Sequence, residues 1–142
     1  LQPCVTAAID LALNLKQLHW NVQGPSFKPV HEFLDQIIDH ARAASDQIAE
    51  RIVTIGLPAV GQRATLGEHS IPHTQDLFIA DDFALNQTLD MLAAAIAQLR
   101  TAQQALAHID PVSEDMIIGI LAQLEKDHWM VRSHSASTEP HQ

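Results

Sequence analysis

Two pairs of residues spaced by four, His31/Asp35 and Asp46/Glu50, stand in one stretch whose apolar residues recur at three and four. On a helix each pair projects two metal-capable groups from one face, one turn apart. At about 100° per residue, with His31 as zero, Asp35 falls near 40°, Asp46 near 60° and Glu50 near 100°, so all four share one side. The pair centres are about 15 residues apart, or about 22 Å along the axis, and no single metal ion touches both within one chain. A second copy of the helix running antiparallel closes the gap. His31 with Glu50, and Asp35 with Asp46, are each symmetric about a point between His40 and Ala41. A two-fold axis there sets His31 against the partner's Glu50 and Asp35 against the partner's Asp46, giving two equivalent sites about 22 Å apart. The other reading of either pair alone is a solvated polar stripe opposite Leu34, Ile37, Ile38, Ala41, Ile48 and Ile52.

Carboxylates with imidazoles and no thiolate suit iron or manganese, and accept zinc under the affinity order of divalent ions. A metal ion with few protein ligands keeps open positions, which points to redox chemistry rather than a closed structural site. His19 completes the set if the turn after its helix brings it alongside His31. Its neighbour Trp20 leaves a plain packing role open.

Four long helices have to carry these groups. The first runs from about Pro3 to Val22 on Val5, Ala8, Ile9, Ala12, Leu15 and Leu18. Gln23-Gly24-Pro25-Ser26 breaks it, and the second starts near Pro29 and runs to Ile55, stopped by Gly56-Leu57-Pro58. Residues 58–75 form a long connection with one short helix around Thr65–Ser70. The third helix spans about Leu77 to His108, and Ile109-Asp110-Pro111 ends it. The fourth has Ser113 as its N-cap and reaches His134, followed by a frayed tail from Ser135 to Gln142. Tight turns after the first and third helices and a long connection after the second describe an all-α four-helix bundle with one crossover, the ferritin-like connectivity. Carboxylate sites in such bundles ordinarily use paired Glu-x-x-His motifs within one chain; the first, third and fourth helices hold no usable pair, which favours a site shared between chains.

At 142 residues and 46% apolar composition the chain is one domain, residues 1–142, with no internal repeat. Cys4 is the only cysteine and forms no intrachain disulfide, so a reducing cytoplasm is the expected compartment. No apolar run reaches the roughly 18–20 residues that span a bilayer. The net charge of −9, from 8 Lys+Arg against 17 Asp+Glu, disfavours capture of nucleic acid and favours handling of cations.

The run Leu18-His19-Trp20-Asn21-Val22, then Gly24, Phe27, His31, Phe33 and Asp35, then Asp46, Ala49-Glu50-Arg51-Ile52 and Gly56, closely resembles the Dps mini-ferritins, the starvation-induced DNA-binding proteins. The ligand steps of 12, 4, 11 and 4 residues match the family pattern. The match over the rest is looser but collinear, through Asp110, Ser113, Asp115 and Leu124-Glu125-Lys126 to Trp129. The resemblance implies a hollow homododecamer built from two-fold dimers, ferroxidase sites at the dimer interfaces and ferric mineral stored inside. It assigns His19, His31 and Asp35 to one subunit and Asp46 and Glu50 to its mate, with iron as the metal and hydrogen peroxide or oxygen as oxidant. Trp20 matches the tryptophan beside the site. Glu32 is the candidate for mineral nucleation, equally readable as a surface residue. Asp110 and Asp115, with Glu114, correspond to the lining of a three-fold iron-entry pore, or else to an ordinary acidic helix start. DNA binding in this family commonly uses a basic terminal tail; the ends of this segment carry no Lys or Arg, and twelve copies multiply its negative charge, so the segment is expected not to bind DNA. The first residue is Leu1 rather than Met, and a basic extension before it would restore DNA binding and a nucleoid association. His69 and His73 read as solvated loop histidines or adventitious metal ligands, and His40 beside the axis meets its mate or solvent.

Overall fold

In a computed structural model, which describes residues 1–67 and 71–135, the chain folds into four long helices: α1 (Gln2–Asn21), α2 (Phe27–Thr54), α3 (Asp81–Leu106) and α4 (Pro111–Ser135). Leu11, Leu15 and Leu18 of α1, Leu34, Ile37, Ile38 and Ile48 of α2, Met91 and Leu92 of α3 and Ile117 and Leu124 of α4 are almost wholly buried and meet along the bundle axis. α1 packs chiefly on α2 and α3 on α4. The second helix starts earlier than the sequence suggests: Pro29 sits in the first turn of α2, where the missing N–H would have had no partner anyway. α2 ends as expected. Gly56 has φ +91°, its N–H donates to Val53 O at 3.0 Å and that of Leu57 to Ile52 O at 3.1 Å, the paired bonds of a glycine C-cap.

The connection from α2 to α3 holds a 3-10 helix, Arg63–Gly67, which overlaps the expected short helix at Thr65–Gly67; residues 68–70 lie outside the described residues, as do His69 and the tail from 136 to 142. Two short strands appear that helix periodicity did not anticipate. β1 (Val22–Gln23) pairs in parallel with β2 (Ile79–Ala80), Val22 against Ile79 and Gln23 against Ala80. The third helix therefore begins at Asp81 rather than Leu77. This pairing returns the connection to the α1–α2 turn, so it has travelled the length of α2, about 42 Å for 28 residues. α2 and α3 consequently run the same way, the crossover topology of a ferritin-like bundle.

That end of the bundle is fastened by Asp81. Its Oδ2 accepts the Ser26 N–H at 2.6 Å and its Oδ1 accepts that of Asp82 at 2.9 Å. Gly24, at φ +135°, makes room for it: a Cβ there would lie 2.6 Å from the carboxylate. At the opposite end the cap of α4 differs from the expected one. Asp110 accepts the Ser113 N–H at 3.3 Å, and the fully buried Ser113 donates its hydroxyl to Asp110 rather than capping the helix itself.

Candidate metal centre

The turn fastened by Gly24 and Asp81 sets the end of α1 beside the start of α2, and there two histidines clasp each other. His19 Nδ1 donates to His31 O at 2.7 Å, and His31 Nδ1 donates to His19 O at 2.7 Å. Their rings stack with centroids 3.7 Å apart and planes 17° from parallel, and Phe27 lies 5.0 Å from the His31 ring. A carbonyl can only accept, so both Nδ1 atoms carry the proton and both Nε2 atoms are left as lone-pair donors. This is how metal-ligating imidazoles are held: the second nitrogen fixes the tautomer and the ring plane. Burial lowers the pKa of His19, offset in part by its bond to the His31 carbonyl and by Asp35, which keeps the imidazole neutral and able to bind a cation.

Asp35 joins from the next turn of α2, with Oδ1 3.6 Å from His19 Nδ1. The same oxygen accepts from Lys16 Nζ at 2.6 Å, and this bond holds its carboxyl below the ordinary range. Lys16 is the residue sequence reasoning missed. Its position one turn before His19 on α1 was the available signal, but a lysine does not ligate metals, so a search for ligands passes over it. The Lys16 ammonium keeps the carboxylate ionised and occupies one of its oxygens, the charge a metal ion would otherwise neutralise.

Asp46 and Glu50 are exposed on the far half of α2 and do not reach this group within the chain. Among the described residues, one copy brings together no set of three His, Cys, Asp or Glu able to hold a metal ion. Apolar side chains lie open beside the clasp: Trp20, next to His19, is 65% exposed and Phe27, against the His31 ring, is exposed as well; Leu13 is exposed farther along α1. Leu13, Lys16 and Trp20 are spaced to share one face of α1.

The other residues singled out from sequence fall elsewhere. Glu32 is exposed and pairs with Lys28 one turn away. Asp110 is held by both Arg51, at 2.9 Å, and Ser113; these bonds lower its carboxyl to about 2. Glu114 accepts from Gln103 at 2.7 Å, and Asp115 is exposed on α4. His73 Nε2 lies 4.0 Å from the buried Asp10. His40 is part-exposed and bonds Asp127 of α4. No described helix is long and apolar enough to cross a membrane.

A ferritin-like domain family matches residues 1–139. The DNA protection during starvation protein of Mycolicibacterium smegmatis is 35% identical over 141 residues, 96% of this chain and 75% of that protein. The fine tangled pili major subunit of Haemophilus ducreyi is 36% identical over 126 residues, 88% of this chain and 67% of that protein. Among solved structures, Dps from Microbacterium arborescens in the high iron form superposes with a TM-score of 0.92 at 33% identity, covering 96% of this chain and 90% of that one. Mycobacterium smegmatis Dps in a tetragonal form gives 0.90 at 31% identity, covering 96% and 84%. With the crossover bundle and the histidine clasp in place, these likenesses establish that the chain belongs to the Dps mini-ferritins of the ferritin-like family.

Proposed function

We propose that this protein is a ferroxidase and iron store whose oxidation site is shared by two copies. The observation that carries the reading is the reciprocal clasp: two imidazoles fixed by each other's backbone carbonyls, both Nε2 atoms uncommitted, beside the ionised Asp35. The antiparallel register read from α2 brings the partner's Asp46 and the partner's Glu50 to this group. The exposed Leu13, Trp20 and Phe27 around it are surface that a second copy would cover.

Ferrous iron is the substrate. His19, His31 and Asp35 of one copy and Asp46 and Glu50 of the other hold it, and their oxygen-rich set favours the ferric product over the ferrous reactant. Two ferrous ions each give one electron to one hydrogen peroxide molecule, whose O–O bond breaks to leave two hydroxide ions; hydrolysis of the two ferric ions to mineral then releases protons to solvent. Oxygen serves as an alternative oxidant, and zinc or manganese competes for the same ligands. The product collects inside a homododecamer, with Glu32 as a nucleation point and Asp115, beside Asp110 and Glu114, drawing cations toward a three-fold entry. The reading places the protein in the cytoplasm, where removal of iron and peroxide together protects DNA without contact. A charge of −9 per copy repels phosphate, so residues 1–142 are expected not to shift plasmid in a gel at ordinary salt; a clean shift would defeat that part.

The test is the growth of ferric absorbance after ferrous iron and peroxide are mixed with the assembled protein. Asp46→Ala/Glu50→Ala should slow the first seconds of the reaction at least tenfold, and an unchanged rate would defeat the shared site. A native mass near twelve times 15.6 kDa supports the cage, whereas a monomer excludes it.

A further inference from the structure

α2 carries a histidine that the ferroxidase reading leaves unused. His40 falls near 180° when His31 is zero, turned from the ligand face toward α4. Its Nδ1 lies 2.8 Å from Asp127 Oδ2, and the other oxygen of Asp127 accepts from Gln123 Nε2 at 3.1 Å. Asp127 is only 2% exposed, and the His40 ring and the Gln123 amide hold its two oxygens. A buried carboxylate held by an imidazole and a carboxamide is costly. What it secures is one tautomer: the carboxylate can only accept, so His40 Nδ1 carries the proton and Nε2 presents its lone pair.

The His40 side chain is 38% exposed and lines a cleft of about 330 Å³ between α2 and α4, with Gln47, Asp115, Met116 and Gln123 on its walls. A plain interhelical hydrogen bond needs neither a part-exposed ring nor a cleft in front of it. A carboxylate that fixes one ring nitrogen and leaves the other open is the support metal-ligating histidines receive.

We propose that His40 anchors a second site for a divalent transition-metal ion in the α2–α4 cleft, separate from the His19–His31–Asp35 centre, with Asp127 as its positioning residue. Water and the oxygen donors of the cleft complete the coordination. Glu32, Gln36, Ala43 and Gln47 fall between about 100° and 160° on α2, so the site borders the stripe that adjoins the ligand face. One imidazole with oxygen donors holds an ion exchangeably, so this site binds and releases metal without oxidising it.

Zinc is the probe. In crystals of the assembled protein equilibrated with zinc, anomalous diffraction should show a peak about 2.0–2.1 Å from His40 Nε2, resolved from any ion at His19 and His31. Asp127→Asn frees the ring to change tautomer and should weaken binding about 10- to 100-fold, emptying the peak at the same zinc concentration. His40→Gln keeps a donor for Asp127, folds like the parent and loses the peak, while its initial rate of iron oxidation stays unchanged. Equal occupancy in Asp127→Asn would mean an adventitious ion only and overturn the proposal. No peak in the parent, at a concentration that fills the His19–His31 centre, would overturn it too. A peak at His40 with none at His19 and His31 would instead count against the shared ferroxidase site and leave this one standing.

Discussion

The two halves of α2 carry the same kind of chemistry and treat it in opposite ways. In the first half, His31 and Asp35 are held from outside the helix, by the His19 carbonyl and by Lys16. In the second half, Asp46 and Glu50 stand exposed on a regular helix with apolar residues turned inward behind them. One half is organised within a single chain. In the proposed shared site the other gains its purpose when a second chain arrives, and this would be economical: a carboxylate is the cheapest ligand to leave in water, whereas an imidazole needs its tautomer fixed before it binds well.

The largest expected effect follows from removing the exposed half. Asp46→Ala/Glu50→Ala should lower initial iron oxidation at least tenfold with helical circular dichroism unchanged, because exposed substitutions of this kind move stability by only about 0.5 kcal/mol. Loss of helix alongside loss of rate would erase the contrast between the halves.

His31→Ala acts on the organised half and should cost both properties. It removes a ring stacked at 3.7 Å and strips the His19 carbonyl of its donor, for a loss of about 1–3 kcal/mol, read as a lower thermal midpoint together with slower oxidation. An unchanged midpoint would mean that the clasp does not organise the turn.

Acid should also separate the halves. The pKa of His19 is lowered in the folded state, so the folded protein binds fewer protons there than the unfolded chain. That contribution to stability is fully present above the ordinary value of 6.5 and is lost as pH falls through the lowered value. Asp35 behaves likewise below 3.8. The midpoint of His19→Phe should therefore fall less than that of the parent between pH 7 and pH 5. Parallel curves would refute this.

The smallest effect belongs to Lys16→Met. Its ion pair with the half-exposed Asp35 contributes at most about 1 kcal/mol, so the midpoint should barely move. The freed Asp35 oxygen should bind zinc a few-fold more tightly, measured by calorimetry. Weaker zinc binding would mean that the lysine helps the metal rather than competing with it.

The helices were legible because burial of Leu34, Ile37, Ile38 and Ile48 imposes a period that the sequence displays openly. Their edges were less so. β1 and β2 escaped notice because two-residue strands have no period to read, and they exist through a pairing between residues far apart in the chain. Ser113 looked like a helix cap from its residue type, but burial beside Arg51 turned its hydroxyl toward Asp110, which caps α4 instead. His40 could not be assigned, since nothing local announces that Asp127 will face it.

By itself the sequence determined the all-α bundle, the crossover, and the single side of α2 that His31, Asp35, Asp46 and Glu50 share, because helix geometry converts spacing directly into direction. Only the tertiary structure decided which nitrogen of His19 and His31 is free, that Lys16 holds Asp35, and that His40 faces a buried carboxylate. Those outcomes depend on which groups from distant parts of the chain come within 3 Å of each other, and spacing along one helix carries no information about that.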